Sequence, residues 1–251
     1  MLGALARMAR SMPPPDLRKE VDDLLLLYAL NGVADAAAAK AIAELYSPPR
    51  VTAELQKVRR RCPGMGLVPG ATLDLCEDEF GVTYDVLKVA DRQRIRARVS
   101  RGKPFLVVGS PPCTDWCWYN AYANHRRMPA AELRRRMIER QVALRFAVEI
   151  YCLQLAGGRH FLHEHPLGAT SWRERCARAL ERQAGVGTVV ADQCQYGLVT
   201  RGPDGSPLPA KKATRFMSSA PALLEALGRR CPGTHRHQVL EGSGRAAAAA
   251  R

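Results

Sequence analysis

Two rhythms of apolar and polar positions alternate along the chain: short apolar runs, and longer stretches in which apolar residues recur every three or four positions. The short runs at Glu44–Ser47, Ala71–Leu75, Pro104–Gly109, His160–Glu164, Thr188–Ala191 and Thr214–Ser218 predict strands. The clearest helix is predicted over residues 130 to 156, where Leu133, Met137, Leu144, Val148, Tyr151 and Leu155 share one face and Gly157-Gly158 closes it. Shorter helices are expected at Val51–Arg60, Val86–Val99, Trp172–Gln183 and Ala220–Gly228. Strand and helix in alternation predict an α/β fold with a doubly wound, mostly parallel sheet, whose ligand crevice lies outside the carboxyl ends of the strands.

The same pattern suggests boundaries. Residues 1–43 read as a helical N-terminal extension: Pro13-Pro14-Pro15 interrupts, Asp16 caps Leu17–Leu30, Asn31-Gly32 breaks it, and Ala36–Ala39 continues a second short helix. Residues 44–240 form the expected domain, with a mobile Gly- and Pro-rich loop at Arg201–Pro209, and residues 241–251 a low-complexity, disordered tail. No apolar run is long enough to span a membrane, so no membrane partner is expected. The eight cysteines are scattered rather than regularly spaced, which points to a reducing compartment and an intracellular, nuclear or cytoplasmic protein. Met1–Met12 carries Arg7 and Arg10 without an acid, like an organelle presequence, but Asp16, Glu20, Asp22 and Asp23 break that pattern and import is not expected.

Charge adds a partner class. The net charge is +14, with clusters at Arg92–Arg98, Arg126-Arg127, Arg134–Arg136, Lys211-Lys212 with Arg215, and Arg229-Arg230. That balance favours a polyanion, nucleic acid first; the alternative is that arginine-rich helices present solvated faces.

Chemistry-capable residues gather at three strand ends: Gly109-Ser-Pro-Pro-Cys113, His163-Glu164-His165-Pro166 and Asp192-Gln-Cys-Gln195-Tyr-Gly197. Pro111 and Pro112, with fixed φ and no N–H, stiffen the first turn and hold Cys113 in one direction. In a doubly wound sheet such ends lie close enough for a thiol, a carboxylate and an amide to meet one ligand.

These segments resemble blocks of the cytosine-5 DNA methyltransferases. Gly109-Ser-Pro-Pro-Cys113-Thr-Asp-Trp116 is similar to that family's Gly-Gly-Pro-Pro-Cys nucleophile loop, and Phe161-Leu-His-Glu164-His165 to its Phe-x-Glu-Asn-Val strand end. Ser47-Pro-Pro-Arg50-Val51, Ser110-Pro-Pro-Cys113-Thr114, Glu164-His-Pro166 and Cys194-Gln-Tyr-Gly197 also resemble blocks of methyltransferase-like proteins found near retroelements in large eukaryotic genomes. The resemblance implies a Rossmann-like methyltransferase fold, S-adenosylmethionine as cofactor and cytosine in nucleic acid as target, DNA before RNA. Cys113 would add to C6 of the base and Glu164 would hold its N3 and exocyclic amine. A flipped-out base would be required. Asp74, Ser47, Arg50 and Ser110 become the cofactor contacts, and Gln195, Lys211, Lys212 and Arg215 a loose substitute for the family's Gln-x-Arg-x-Arg block. Two departures accompany it: the first turn, Tyr46-Ser-Pro-Pro-Arg50, has no glycine, and no insertion is long enough to form a separate target-recognition domain.

Three other readings stay open. Cys231, His235 and His237 could suit zinc if Cys194 or Cys62 supplied a fourth ligand, or they are surface residues of a loop after a helix; no metal is assigned on sequence alone. A Cys-His hydrolase could use Cys113 with His163 or His165, but strand alternation puts both histidines on one face and Glu164 on the other. A catalytically inactive nucleic-acid-binding protein could keep the fold and lose the cofactor.

Overall fold

The computed structural model describes residues 39–238, apart from 63, 65, 79, 118–123 and 203. Six strands build one sheet: β1 (Lys40–Leu45), β2 (Leu67–Leu73), β3 (Leu106–Gly109), β4 (His160–Pro166), β5 (Gly187–Asp192) and β8 (Ala213–Ser218). They are ordered β2-β1-β3-β4-β8-β5, and every pairing is parallel except those of β8, which runs against both β4 and β5. Among the described residues five helices cover this sheet: α1 (Val51–Arg61), α2 (Val89–Gly102), α3 (Ala130–Ala156), α4 (Arg175–Glu181) and α5 (Pro221–Leu227).

Alternation along the strands divides the core into two layers. Ala43, Leu45, Val107, Phe161 and Met217 face α2, α3 and α4 through Ile95, Val99, Phe146, Ile150, Tyr151 and Leu180. On the other face Ile42, Leu106, Val108, Leu162 and Phe216 meet Leu55 of α1 and Leu227 of α5. The α/β fold with a mostly parallel sheet is therefore as expected, and α3 spans the same residues that its periodicity predicts.

Three expectations are corrected. β1 begins at Lys40, inside the segment read as a helical extension, because Ala41 and Ala43 give small side chains to a central strand flanked by β2 and β3; the rest of that extension, residues 1–38, and the tail from 239 lie outside the described residues. β2 spans Leu67–Leu73 rather than the expected Ala71–Leu75, reaching back through Pro69 and Gly70. It is an edge strand, where Pro is tolerated, and a Cβ at Gly70 would sit 2.8 Å from the Ile42 carbonyl oxygen. The Arg201–Pro209 loop is a hairpin, with β6 (Val199–Arg201) antiparallel to β7 (Pro207–Pro209).

Candidate functional site

The Cys113 turn is fixed from both ends. Gly109, the last residue of β3, leaves no space for a side chain, since a Cβ there would lie 2.1 Å from the Tyr151 hydroxyl. Beyond Cys113 the chain enters a single 3-10 turn, Thr114–Trp116, whose Asp115 side chain is 0% exposed. Its carboxylate accepts hydrogen bonds from Arg136 (2.7 Å) and Arg140 (2.9 Å) of α3 and faces His125 Nε2 at 3.3 Å. Burial works against the charge, but the bonds from Arg140, His125 and Arg136 outweigh it and hold the carboxyl below its ordinary range. Asp115 thus ties the thiol-bearing turn to the longest helix.

Glu164 lies on the adjacent strand, 1% exposed. The Ser110 hydroxyl donates to its Oε2 at 2.7 Å, while Oε1 is buried and has no partner among the described residues. A buried acceptor without a donor is costly, so a ligand N–H or O–H that reaches Oε1 gains the full value of that bond. Ser110, expected to touch a cofactor, instead orients this carboxylate.

Cys113 does not act alone. In its neutral form the Cys117 thiol donates to the Cys113 carbonyl at 3.4 Å. The two thiols also hydrogen-bond each other, which lowers the Cys117 thiol to about 7, with the Lys212 ammonium helping. Cys113 is pushed up by the same bond, by burial and by the Glu164 charge. The hydrogen bond between the two sulfurs therefore favours the thiolate on Cys117 and the proton on Cys113. Cys117 carries no sequence signal beyond its spacing from Cys113, and it was not among the expected site residues.

A second corner of the sheet gathers Ser47, Arg50 and Asp74. Glu44, fully buried on β1, accepts the backbone N–H of Arg50 (3.0 Å) and of Thr52 (2.7 Å) and the Thr52 hydroxyl (2.8 Å), all on Oε1. Its Oε2 has no partner among the described residues. The Ser47 hydroxyl is turned onto the Pro48 carbonyl at 2.8 Å. Tyr46 takes φ 64°, the left-handed value for which glycine is favoured, and its hydroxyl reaches the Ala143 carbonyl of α3 at 2.7 Å. Asp74 accepts the Cys76 N–H at 2.9 Å, next to Leu75, which is 68% exposed. The Cys76 thiol also hydrogen-bonds Asp74 through its own side chain, which raises that exposed thiol against the nearby Arg50 charge, so the β2 end and the β1–α1 turn are neighbours.

The residues expected to meet nucleic acid divide. Lys212, half-buried just before β8, supplies its charge to the thiol pair, and exposed Lys211 lies close enough to His237 to depress its pKa, though burial is the larger cause. Gln195 contacts the Cys194 sulfur at 3.9 Å. Arg215 is spent elsewhere: it pairs with Glu181, bonds Thr188 at 3.3 Å and stacks over Trp172 at 4.7 Å. The Arg92–Arg98 cluster is likewise structural, bonded to the carbonyls of Val86 and Thr83, to Glu149 and to Asp78. A cavity of about 260 Å³ opens between β1, β2 and α2, and none of the candidate residues lines it.

His163 and His165 share a face, as alternation requires, and both are committed. His163 Nδ1 meets the Tyr151 hydroxyl at 3.2 Å; His165 bonds Ser171 at 2.6 Å through Nδ1 and the Pro111 carbonyl at 2.8 Å through Nε2. Burial drives both below the ordinary histidine range. Both His165 nitrogens are thus engaged, which leaves that ring no free nitrogen to serve Cys113 as a base. The chain matches no family model and no curated protein.

Proposed function

We propose that the protein is an S-adenosylmethionine-dependent methyltransferase-like protein acting on cytosine in nucleic acid. The observation that carries this reading is the buried Glu164, with one oxygen fixed by Ser110 and the other open, on the strand adjacent to a thiol pair whose shared charge is held by Lys212. Cytosine presents an exocyclic amine that can donate to such a carboxylate and, once N3 is protonated, a second N–H beside it. A thiolate is both nucleophilic near neutral pH and able to leave again.

In this reading Cys117 stores the negative charge and takes the proton of Cys113 as the base arrives. Cys113 Sγ then forms a bond to C6, and electron density moves to C5. Glu164 Oε1 holds the base edge while C5 takes up a methyl group; the C5 proton then passes to a water molecule acting as base, its electron pair restores the C5–C6 double bond, and the C6–sulfur bond breaks to release the Cys113 thiolate. Lys212 stays beside the sulfurs in every state, which keeps the leaving thiolate low in energy.

The residues of the other corner fit the donor. Glu44 Oε2 is an orphaned buried acceptor for an amine or hydroxyl, Asp74 offers a carboxylate at the β2 end, and exposed Leu75 offers an apolar platform. When bound, S-adenosylmethionine supplies an electrophilic methyl group. The second reading, a nucleic-acid binder without turnover, is favoured by one feature. The first-turn N–H groups of α1 are spent on Glu44, and a tyrosine stands where a close backbone approach would need glycine.

Incubating the full chain and methyl donor with DNA or RNA containing 5-fluorocytosine tests the first reading, because fluorine blocks the final elimination. A covalent adduct is expected on wild type and on Cys117→Ala, and none on Cys113→Ala. An adduct lost only in Cys117→Ala would move the nucleophile to that residue. No adduct and no heat of donor binding, with salt-dependent nucleic-acid affinity retained, would establish the second reading instead.

A further inference from the structure

We propose that Cys194, Cys231, His235 and His237 form a structural zinc site that fastens the C-terminal segment to the sheet. Cys194 sits in the 3-10 turn Gln193–Tyr196 that follows β5, and the other three lie in the coil after α5. One ligand atom from each of the four residues lies within 4.8 Å of all the others. Cys231 Sγ is 3.7 Å from His235 Nε2 and 3.4 Å from His237 Nε2. With Zn–S near 2.3 Å and Zn–N near 2.0–2.1 Å, a tetrahedral ion spaces sulfur and nitrogen about 3.5 Å apart. The two spacings from Cys231 to the imidazoles are therefore those of a zinc tetrahedron, and the whole set lies within 4.8 Å.

Its surroundings are those of a metal site rather than of a surface loop. Asp192, 1% exposed at the end of β5, accepts the Cys231 backbone N–H at 2.9 Å and the Arg230 Nε at 3.0 Å, so a buried carboxylate fixes the backbone of one ligand. The Gly233 N–H points at Cys231 Sγ at 3.4 Å, and the Gln195 amide at Cys194 Sγ at 3.9 Å, an arrangement that suits thiolates. Gly233, at φ 79°, makes the turn that brings both histidines back onto Cys231. The rings of His235 and His237 are 4.5 Å apart, and neutral imidazoles are the form that zinc binds.

Two thiolates and two imidazoles balance the dication and fill its coordination shell, leaving no open position for water or substrate. The site is therefore structural. It also reaches the candidate site: Gln238 N–H donates to the Pro209 carbonyl at 2.9 Å, and Gln193 N–H to the Lys212 carbonyl at 3.1 Å. One ion would hold the turn after β5, the coil after α5 and, through these two bonds, the segment that delivers Lys212.

Metal analysis of the full chain, purified without chelator from zinc-supplemented cells, tests this. One zinc per chain is expected, retained in Cys62→Ser and Cys76→Ser and lost in Cys194→Ser and in His237→Asn. Cobalt added to stripped wild type should give the visible bands of a tetrahedral thiolate site, which needs no variant to fold. Asp192→Asn should weaken zinc binding about 10-fold or more. In the zinc form Cys194 and Cys231 should resist alkylation while Cys117 does not. A zinc-free protein whose cobalt complex shows no tetrahedral bands, or zinc content unchanged by the ligand substitutions, would overturn the proposal.

Discussion

The thiol pair makes the sharpest prediction. Cys117 is lowered to about 7, first by the hydrogen bond from Cys113 and then by Lys212, with burial opposing. An ordinary cysteine titrates near 8.5, so at pH 7 Cys117 should be about half thiolate against about 3%, roughly a 15-fold difference. Intrinsic nucleophilicity falls as the pKa falls, with a Brønsted slope of about 0.45, which costs about 5-fold over that interval. The net gain in alkylation rate is then about 3-fold, so absolute rate is a weak readout and the pH midpoint a strong one. Short pulses of iodoacetamide between pH 5.5 and 9.5, with site-resolved mass spectrometry, should place the Cys117 midpoint near 7. Cys113→Ala should move it up the most and Lys212→Gln by less, following the order of the causes. A midpoint near 8.5 in wild type, or one that Cys113→Ala leaves in place, would refute the shared charge.

Two further outcomes follow from buried charges. Asp115→Ala strips α3 arginines that are 28% and 25% exposed of their shared partner; water recovers part of the loss, and the folded state should weaken by about 2–3 kcal/mol, measured by denaturant melts. The depressed Asp115 carboxyl contributes stability that is present above about pH 4 and lost as pH falls toward its folded value, so Asp115→Ala should flatten the acid limb of the melt. His163 and His165 are also depressed, which for a base means that the unfolded chain binds the proton first. Their stability is full above about pH 6.5 and declines below it, by up to about 1.4 kcal/mol per pH unit for each. Melting temperatures recorded from pH 8 to 5 should fall below 6.5, and a flat profile would mean that neither ring is held neutral.

How far the sequence reaches depends on how local each cause is. Periodicity placed α3 to the residue and the six sheet strands in their order along the chain, because a buried face repeats within one element. It carried the helical extension on to residue 43, whereas Lys40–Leu45 is a strand, since alanine's preference at Ala41 and Ala43 is outvoted only by two neighbouring strands that lie far away in sequence. It also put the β5 end beside the β4 end, whereas β8 lies between them. Glu164 and Cys113 were visible as types at strand ends, yet the pairing of Cys113 with Cys117 and the capping of α1 by Glu44 depend on side-chain directions that spacing does not encode. The arginines were the most misleading. Counted in the sequence, Arg92–Arg98 form a basic stripe; in the fold each has an acid, carbonyl or ring to hold.

The reversed strand gives this sheet an unusual freedom. The parallel strands all run toward the functional edge, but β8 starts from it, so Lys212 is delivered by whatever chain precedes that strand rather than by a turn the sheet must close. The hairpin from Val199 to Pro209 stands in that path, and its tip at Asp204-Gly205 is exposed. Sequence grafted there would lengthen a tether without disturbing strand register. The tip is accordingly where a fluorophore, an affinity handle or a foreign recognition module can be installed on the chain that leads to Lys212.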